Sequence, residues 1–218
     1  MTHTTEVTVK TKVRLRQALR RFGFEVRRLQ GGEVVDPLPL ISFWLNRLDY
    51  FRRRMDDIKS LDGDIVECGV YRGISLFMLA YWMMRSDHPS RHLFGCDSFE
   101  GFPPPVPEDQ GVSQAIAGGH GDTSPERVRK FLSVSGIPDA FLDTRLTLRK
   151  GFLRDTLVNW DRPIALLHVD VDMYQSHWDC LDPLFPHVVP GGLILFDEYD
   201  DPRWPGATKA VDEFLARE

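Results

Sequence analysis

The sequence is short of several things, and each shortage closes off a class of explanation. It holds 3 cysteines in 218 residues, Cys68, Cys96 and Cys180. They are odd in number and far apart along the chain. Neither zinc-site spacing nor the density of a secreted disulfide scaffold is present. Buried free thiols are the expectation, because unpaired cysteine is among the most buried residue types. Basic charge is also scarce: 27 Lys and Arg stand against 32 Asp and Glu, a net charge of −5. A dedicated nucleic-acid binder needs a basic surplus for its phosphate contacts, so that class is disfavoured. Apolar runs such as residues 76–84 are too short to span a bilayer and read as a buried helix. The first residues are polar and then basic, without the apolar centre of a secretory leader, so a cytoplasmic location is expected.

What is present suits a globular α/β protein. Apolar residues make up 42% and charged residues 27%, enough for a core that needs no covalent staples. The length fits one α/β domain with an N-terminal extension. Residues 1–59 are expected to be a basic, helical extension and cap, and residues 60–218 the ligand-binding domain. Within the extension, Arg14, Arg16, Arg20 and Arg21 crowd around a stripe of Leu15, Leu19 and Phe22 at helical spacing. That helix is expected to pack on the domain or on a second copy in a homo-oligomer; an anionic membrane surface or an acidic partner is the other reading. Gly31-Gly32 and Pro37-Leu38-Pro39 interrupt it. A further helix is expected over 41–59, anchored by Phe43, Trp44, Leu48 and Phe51.

From Asp64 onward, apolar runs alternate with helical patterns. Strands are expected over 65–68, 93–96, 146–148, 164–169 and 193–196. Helices are expected over 75–85, 124–134, 152–158, 174–186 and 207–217, the second started by Ser124 as N-cap and Pro125 at the first helical position. Residues 98–123, rich in Gly and Pro, read as a loop, and its stretch from 100 to 123 as a lid. Continuous apolar strands alternating with helices predict a doubly wound parallel sheet of Rossmann-like type. Ligands in such sheets sit at the carboxyl ends of the strands, near the switch in strand order.

The residues at those ends carry chemistry. The first strand ends in Glu67 and Gly69, with Gly73 and Ser75 following. This G-x-x-x-G lacks the third glycine of a dinucleotide fingerprint and the Lys of a phosphate-binding loop, which disfavours a pyrophosphate ligand. A tight strand-to-helix turn explains the glycines equally well. The Glu67 carboxylate suits an ammonium group, and Asp97, ending the second strand, suits the two hydroxyls of a ribose. The fourth strand ends in His168, Asp170 and Asp172, the fifth in Asp197, Glu198 and Asp200. Carboxylates this close repel unless a positive charge lies among them, and a hard divalent cation such as Mg²⁺ takes oxygen ligands of this kind. The competing reading is a pair of acidic loops capping the next helices. Asp170 and Asp172, two apart in extended chain, point to one side, and His168 either joins them or is a satisfied core histidine. His177 is a further candidate base. Phe43, Trp44, Tyr71 and Trp82 are candidates to line an acceptor site, though core packing accounts for such aromatics too.

Together these stretches resemble a known family. Asp64-Ile65-Val66-Glu67-Cys68-Gly69-Val70-Tyr71-Arg72-Gly73 and Gly95-Cys96-Asp97-Ser98-Phe99-Glu100-Gly101-Phe102-Pro103 are similar to segments of the macrocin O-methyltransferase (TylF/MycF) family. So are Lys150-Gly151-Phe152, His168-Val169-Asp170-Val171-Asp172-Met173-Tyr174, and Asp197-Glu198-Tyr199. The motifs keep their order across residues 60–214. The resemblance implies a class I methyltransferase fold, S-adenosylmethionine as donor, Mg²⁺, and a small-molecule acceptor hydroxyl, on a sugar or glycosylated natural product. It implies Glu67, Gly69, Gly73 and Ser75 at the methionine part of the donor, and Asp97, Ser98 and Phe99 at the adenosine. It implies Asp170, Asp197 and Glu198 as metal ligands; Asp170 or Asp172 would take the acceptor proton. Glu198 stands where the family has a second aspartate. The family fold also adds two further strands, which residues 1–218 do not supply, so the sheet edge is expected to be open or covered by a partner. The alternative function is a non-catalytic module binding the donor or a nucleoside, or a truncated, inactive relative. A nucleotide-sugar dehydrogenase is disfavoured by the missing dinucleotide fingerprint.

Overall fold

The computed structural model describes residues 37–86, 90–112 and 115–218, with side chains from residue 42 onward. The expected basic helix near the N-terminus lies outside the described residues.

Five strands form one parallel sheet: β1 (Asp64–Cys68), β2 (Leu93–Asp97), β3 (Leu146–Lys150), β4 (Ile164–Val169) and β5 (Val188–Phe196). Their spatial order is β3-β2-β1-β4-β5. The chain therefore steps outward from β1 to β3, then returns to lay β4 on the other side of β1. β1 and β4 flank the switch point, and every residue of both is buried, including the acids Asp64 and Glu67 of β1 and His168 of β4 among their apolar neighbours.

Alternation along each strand feeds two cores. Ile65, Leu93, Leu166, Leu193 and Leu195 face α1 (Pro37–Asp57), α2 (Ile74–Met83), α3 (Pro125–Val134) and α4 (Asp139–Arg145). Val66, Cys68, Phe94, Cys96, Leu167, Val169, Ile194 and Phe196 face the other side. There they meet α5 (Leu153–Thr156), α6 (Tyr174–Leu184) and α7 (Pro205–Arg217). All three cysteines are free and buried in this second core, as expected. α1 belongs to the first core: its Phe51 is fully buried, as is Ile58 just after its end. Among the described residues, no helix is long and apolar enough to cross a membrane.

The differences from the sequence reading have local causes. α4 was not expected; it is seven residues long, with Pro138 as its N-cap and little helical periodicity to read. β5 begins at Val188 rather than Leu193. It carries Pro190, Gly191 and Gly192 across a register shift in which Ile164 pairs Val188 but Leu166 pairs Leu193. A bulge absorbs the residues that cannot hold a regular ladder. Ser124 caps α3 as expected, its hydroxyl accepting from the Arg127 amide at 3.2 Å.

Candidate active site

The ladder continues one residue past the strands, and this brings the site residues level. Asp170 N donates to Cys68 O (2.9 Å), Asp197 N to Val169 O (3.0 Å) and Gly69 N to Cys96 O (2.9 Å). Gly69, Asp170 and Asp197 are thus the first residues beyond β1, β4 and β5, side by side at the switch point. Gly69 has φ +86°, and a Cβ there would overlap the Asp170 carbonyl. Only glycine permits the two strand ends to approach this closely.

These ends open into a cavity of about 1150 Å³. Gly69, Ser75, Asp97 and Ser98 line one part; Asp170, Asp172, Asp197 and Glu198 line another. Phe43, Trp44, Tyr71, Phe102, His120 and Trp204 add aromatic surface. Tyr71, His120 and Asp172 hold positive φ without being glycine, a strained conformation that concentrates at ligand sites.

Asp97 organises the glycine turn. Its Oδ2 accepts from the amides of Val70 (2.8 Å) and Tyr71 (2.9 Å), and its Oδ1 from Phe99 N (2.7 Å). Oδ1 also receives a long bond from the Ser98 hydroxyl at 3.5 Å, the weakest of the four.

Three expected contact residues do not line the cavity. Phe99 is 3% exposed and packs in the first core. Gly73 has φ +86° and begins α2; a Cβ there would lie 2.9 Å from Val128 Cγ1, so its space belongs to α3. Glu67 is fully buried, and its Oε1 lies 2.9 Å from His168 Nδ1. Burial works against the imidazolium of His168, but the bond and charge of Glu67 outweigh it and raise the pKa. Glu67 Oε2 and His168 Nε2 make no hydrogen bond among the described residues. His177 is buried, its Nδ1 against Met173 O at 2.9 Å, and does not line the cavity. Trp82 also turns away, donating to Leu48 O at 2.9 Å.

The acids gather in two overlapping sets. Asp170, Asp172 and Glu198 each offer an oxygen within 4.8 Å of the others, and His168, Asp170 and Asp197 each offer an atom on the same terms. The expected ligand trio is therefore split: Asp170 belongs to both sets, Asp197 to one and Glu198 to the other. Burial, reinforced by the Asp197 charge and opposed by Arg47, lifts Asp170 to about 6. Burial and then the neighbouring aspartates push Asp172 and Glu198 well above the carboxylate range.

One member of the site was missed in the sequence. Arg47 of α1 reaches into the acids: its Nη2 donates to Asp170 Oδ2 (3.2 Å) and pairs with Asp197 Oδ1 (2.7 Å). Its side chain is 10% exposed. The available signal was a lone basic residue on the stripe of Trp44, Leu48 and Phe51; the partners, 123 and 150 positions away, gave no local hint.

The loop expected to be a lid is tied down where it is described. Phe102 exchanges backbone hydrogen bonds with Gly118 and Gly119. Asp109 is buried and accepts from the Tyr174 amide at 2.9 Å, and Glu108 pairs with Lys209 at 2.9 Å. It forms a wall held against α6 and α7.

A parallel β3-β2-β1-β4-β5 sheet, with a glycine turn and an acid at neighbouring strand ends, is the core of the class I S-adenosylmethionine-dependent methyltransferase fold. Within that class, the model of the macrocin-O-methyltransferase (TylF) family matches residues 2–218, and the chain belongs to this family. It is 31% identical over 183 residues to demethyldecarbamoylnovobiocin O-methyltransferase of Streptomyces niveus, covering 79% of this chain and 66% of that one. It is also 31% identical over 163 residues to the 8-demethyl-8-(2,3-dimethoxy-alpha-L-rhamnosyl)-tetracenomycin-C 4'-O-methyltransferase of Streptomyces olivaceus, covering 71% and 60%. The chain thus spans under two thirds of the length of these curated relatives. Among solved structures it is similar to the O-methyltransferase NovP, with a TM-score of 0.70, 29% identity, and 78% and 71% of the two chains covered. The calicheamicin methyltransferase CalS11 shares the fold at a TM-score of 0.71 and 22% identity, with 94% and 83% covered.

Proposed function

We propose that this protein transfers a methyl group from S-adenosylmethionine to a hydroxyl of a sugar or glycosylated natural product, aided by a divalent metal such as Mg²⁺. One observation carries the reading: the glycine turn of β1 and the acids ending β4 and β5 open into the same cavity. At about 1150 Å³ it exceeds the roughly 300–1,000 Å³ of a single-ligand pocket, which leaves room for donor and acceptor together. The relatives' names supply the acceptor class, since they act on novobiocin and rhamnosyl-tetracenomycin compounds.

The residues fit both small groups. Asp97 lines the cavity, and a ribose hydroxyl could replace the long 3.5 Å bond that the Ser98 hydroxyl donates to its Oδ1. Gly69, Ser75 and Ser98 line the cavity beside Asp97 and border the space for the rest of the donor, whereas Glu67 is held by His168 outside the lining. For the metal, the donor set is oxygen-rich, and Glu198 Oε2 is buried without a hydrogen bond among the described residues. Asp170, Asp197 and Glu198 are the proposed ligands. When bound, the metal would supply Lewis-acid polarisation of the acceptor hydroxyl. Asp170 or Asp172 takes the hydroxyl proton, both lining the cavity. Phe43, Trp44 and Trp204 line the cavity and would exclude water from the transfer path, and holding the two reactants in line would supply much of the rate. In this division residues 1–59 act as the cap and residues 60–218 as the donor-binding domain.

Calorimetric titration with S-adenosylhomocysteine, with and without Mg²⁺, tests the donor site. Micromolar binding is expected. Asp197→Asn is expected to abolish metal-dependent turnover and to leave that binding within about twofold. Equal loss of both would overturn the metal assignment, and no binding by folded protein would overturn the donor site.

A further inference from the structure

Arg47 is the only described side-chain cation that bridges the acids at the ends of β4 and β5. It comes from outside the sheet, on α1, between a buried aromatic on one side and the cavity on the other. Phe51, one turn on, is fully buried, and the Arg47 guanidinium lies 5.9 Å from its ring centroid. Phe43 and Trp44, one turn back, line the cavity. The guanidinium occupies the space where the Asp170 and Asp197 oxygens converge, and a divalent ion on those oxygens would meet it as a like charge at contact distance. Two cations cannot share the same pair of carboxylate oxygens without a large repulsive cost in a poorly solvated site.

We propose that Arg47 is a resident counter-ion that holds Asp170 and Asp197 together without metal and withdraws when a divalent ion binds them. The first half of α1, with Phe43 and Trp44, is therefore the part of the cavity wall that responds to metal. The inference rests on the metal-dependent reading above and assigns Arg47 a positioning role.

The mechanism has two measurable consequences. Removing the charge at Arg47 removes a competitor for the metal and leaves the carboxylates uncompensated. Withdrawing Arg47 also removes the tether that lies N-terminal to the buried Phe51, so the backbone of residues 42–50 opens more often.

Mn²⁺ serves as the probe, with free ion counted by its electron paramagnetic resonance signal, on the full chain without donor or acceptor. Arg47→Gln is expected to bind Mn²⁺ about tenfold or more tightly than wild type, the scale on which close charge pairs couple. Arg47→Lys keeps the charge and is expected to stay within about threefold of wild type. Amide hydrogen exchange supplies the readout independent of any variant: Mn²⁺ is expected to speed exchange across residues 42–50 of the wild type. In Arg47→Gln that segment is expected to exchange fast already and to be unaffected by Mn²⁺. Equal Mn²⁺ affinity in wild type and Arg47→Gln, or slower exchange of 42–50 on metal binding, would overturn the inference and leave the metal reading standing. No Mn²⁺ binding by wild type or by Arg47→Gln would overturn the metal reading itself, and this inference with it.

Discussion

At the scale of single residues, Gly69 sets the spacing of the whole site. Its positive φ and the absence of a Cβ let β1 end against the Asp170 carbonyl. Gly111 gives the matching control. Its φ is +89°, but a Cβ there would meet nothing within 4 Å among the described residues. Gly111→Ala is expected to cost only the left-handed conformation, roughly 1–2 kcal/mol. Gly69→Ala adds a backbone overlap that nothing flexible can relieve, so at least about twice that loss is expected in urea unfolding. S-adenosylhomocysteine affinity is expected to fall in Gly69→Ala and to hold in Gly111→Ala. Matching stability losses at the two positions would mean that the strand ends have slack.

The same scale explains what could be read in advance. Gly69, Asp97 and the acids at Asp170, Asp172, Asp197 and Glu198 announce themselves because parallel strands put their carboxyl ends at one edge, whatever the side chains do later. Arg47 and the Glu67–His168 pair do not. Each joins groups more than 100 positions apart. Glu67 misleads for a further reason. Strand alternation gives a side chain's face but not whether a partner on the next strand claims it, and here His168 pairs Glu67 in register.

Among the elements, α1 is the one whose packing decides the most. Its sequence is legible as a helix anchored by Phe43, Trp44, Leu48 and Phe51, of which Trp44, Leu48 and Phe51 recur at helical spacing. Its start was less so: Pro37 and Pro39 read as a break, yet proline is tolerated in the first turn of a helix, and α1 begins at Pro37. Phe51 is fully buried between β1-side core residues and the His168 ring, with centroids 5.2 Å apart. Phe51→Ala is expected to lower stability by about 3–5 kcal/mol, the range for deleting a buried aromatic. Leu45, on the same helix, is 60% exposed. Leu45→Ala is expected to change stability by under about 0.5 kcal/mol. Chemical denaturation of the two variants separates a helix docked through one face from one held along its length; comparable losses would contradict the docking described.

For the molecule as a whole, buried ionisable groups set how stability follows pH, and they act in opposite directions. His177 lies in the second core, stacked on Phe196 with centroids 6.3 Å apart. Burial holds its pKa down at about 4, against an ordinary 6.5, with the Met173 carbonyl opposing. Between those values the unfolded chain binds a proton that the native state refuses, so stability rises with pH across the window and is lost as pH falls through it. The slope is about 1.4 kcal/mol per pH unit. Asp170, raised to about 6, has the opposite sign: between its ordinary value and 6 the native state holds the extra proton, and stability falls as pH rises. Asp172 and Glu198, also raised by burial, act in the same sense as Asp170, so the raw pH profile does not isolate the histidine, and the informative quantity is the difference between wild type and His177→Gln. Glutamine does not titrate, so its packing cost is constant with pH. Moving from pH 7 to pH 5 without metal, wild type is expected to lose about 2 kcal/mol relative to His177→Gln, measured by urea unfolding at each pH. A difference that does not change with pH would mean that the native state admits the proton, and that α6 opens at His177 far more readily than its burial against β5 implies.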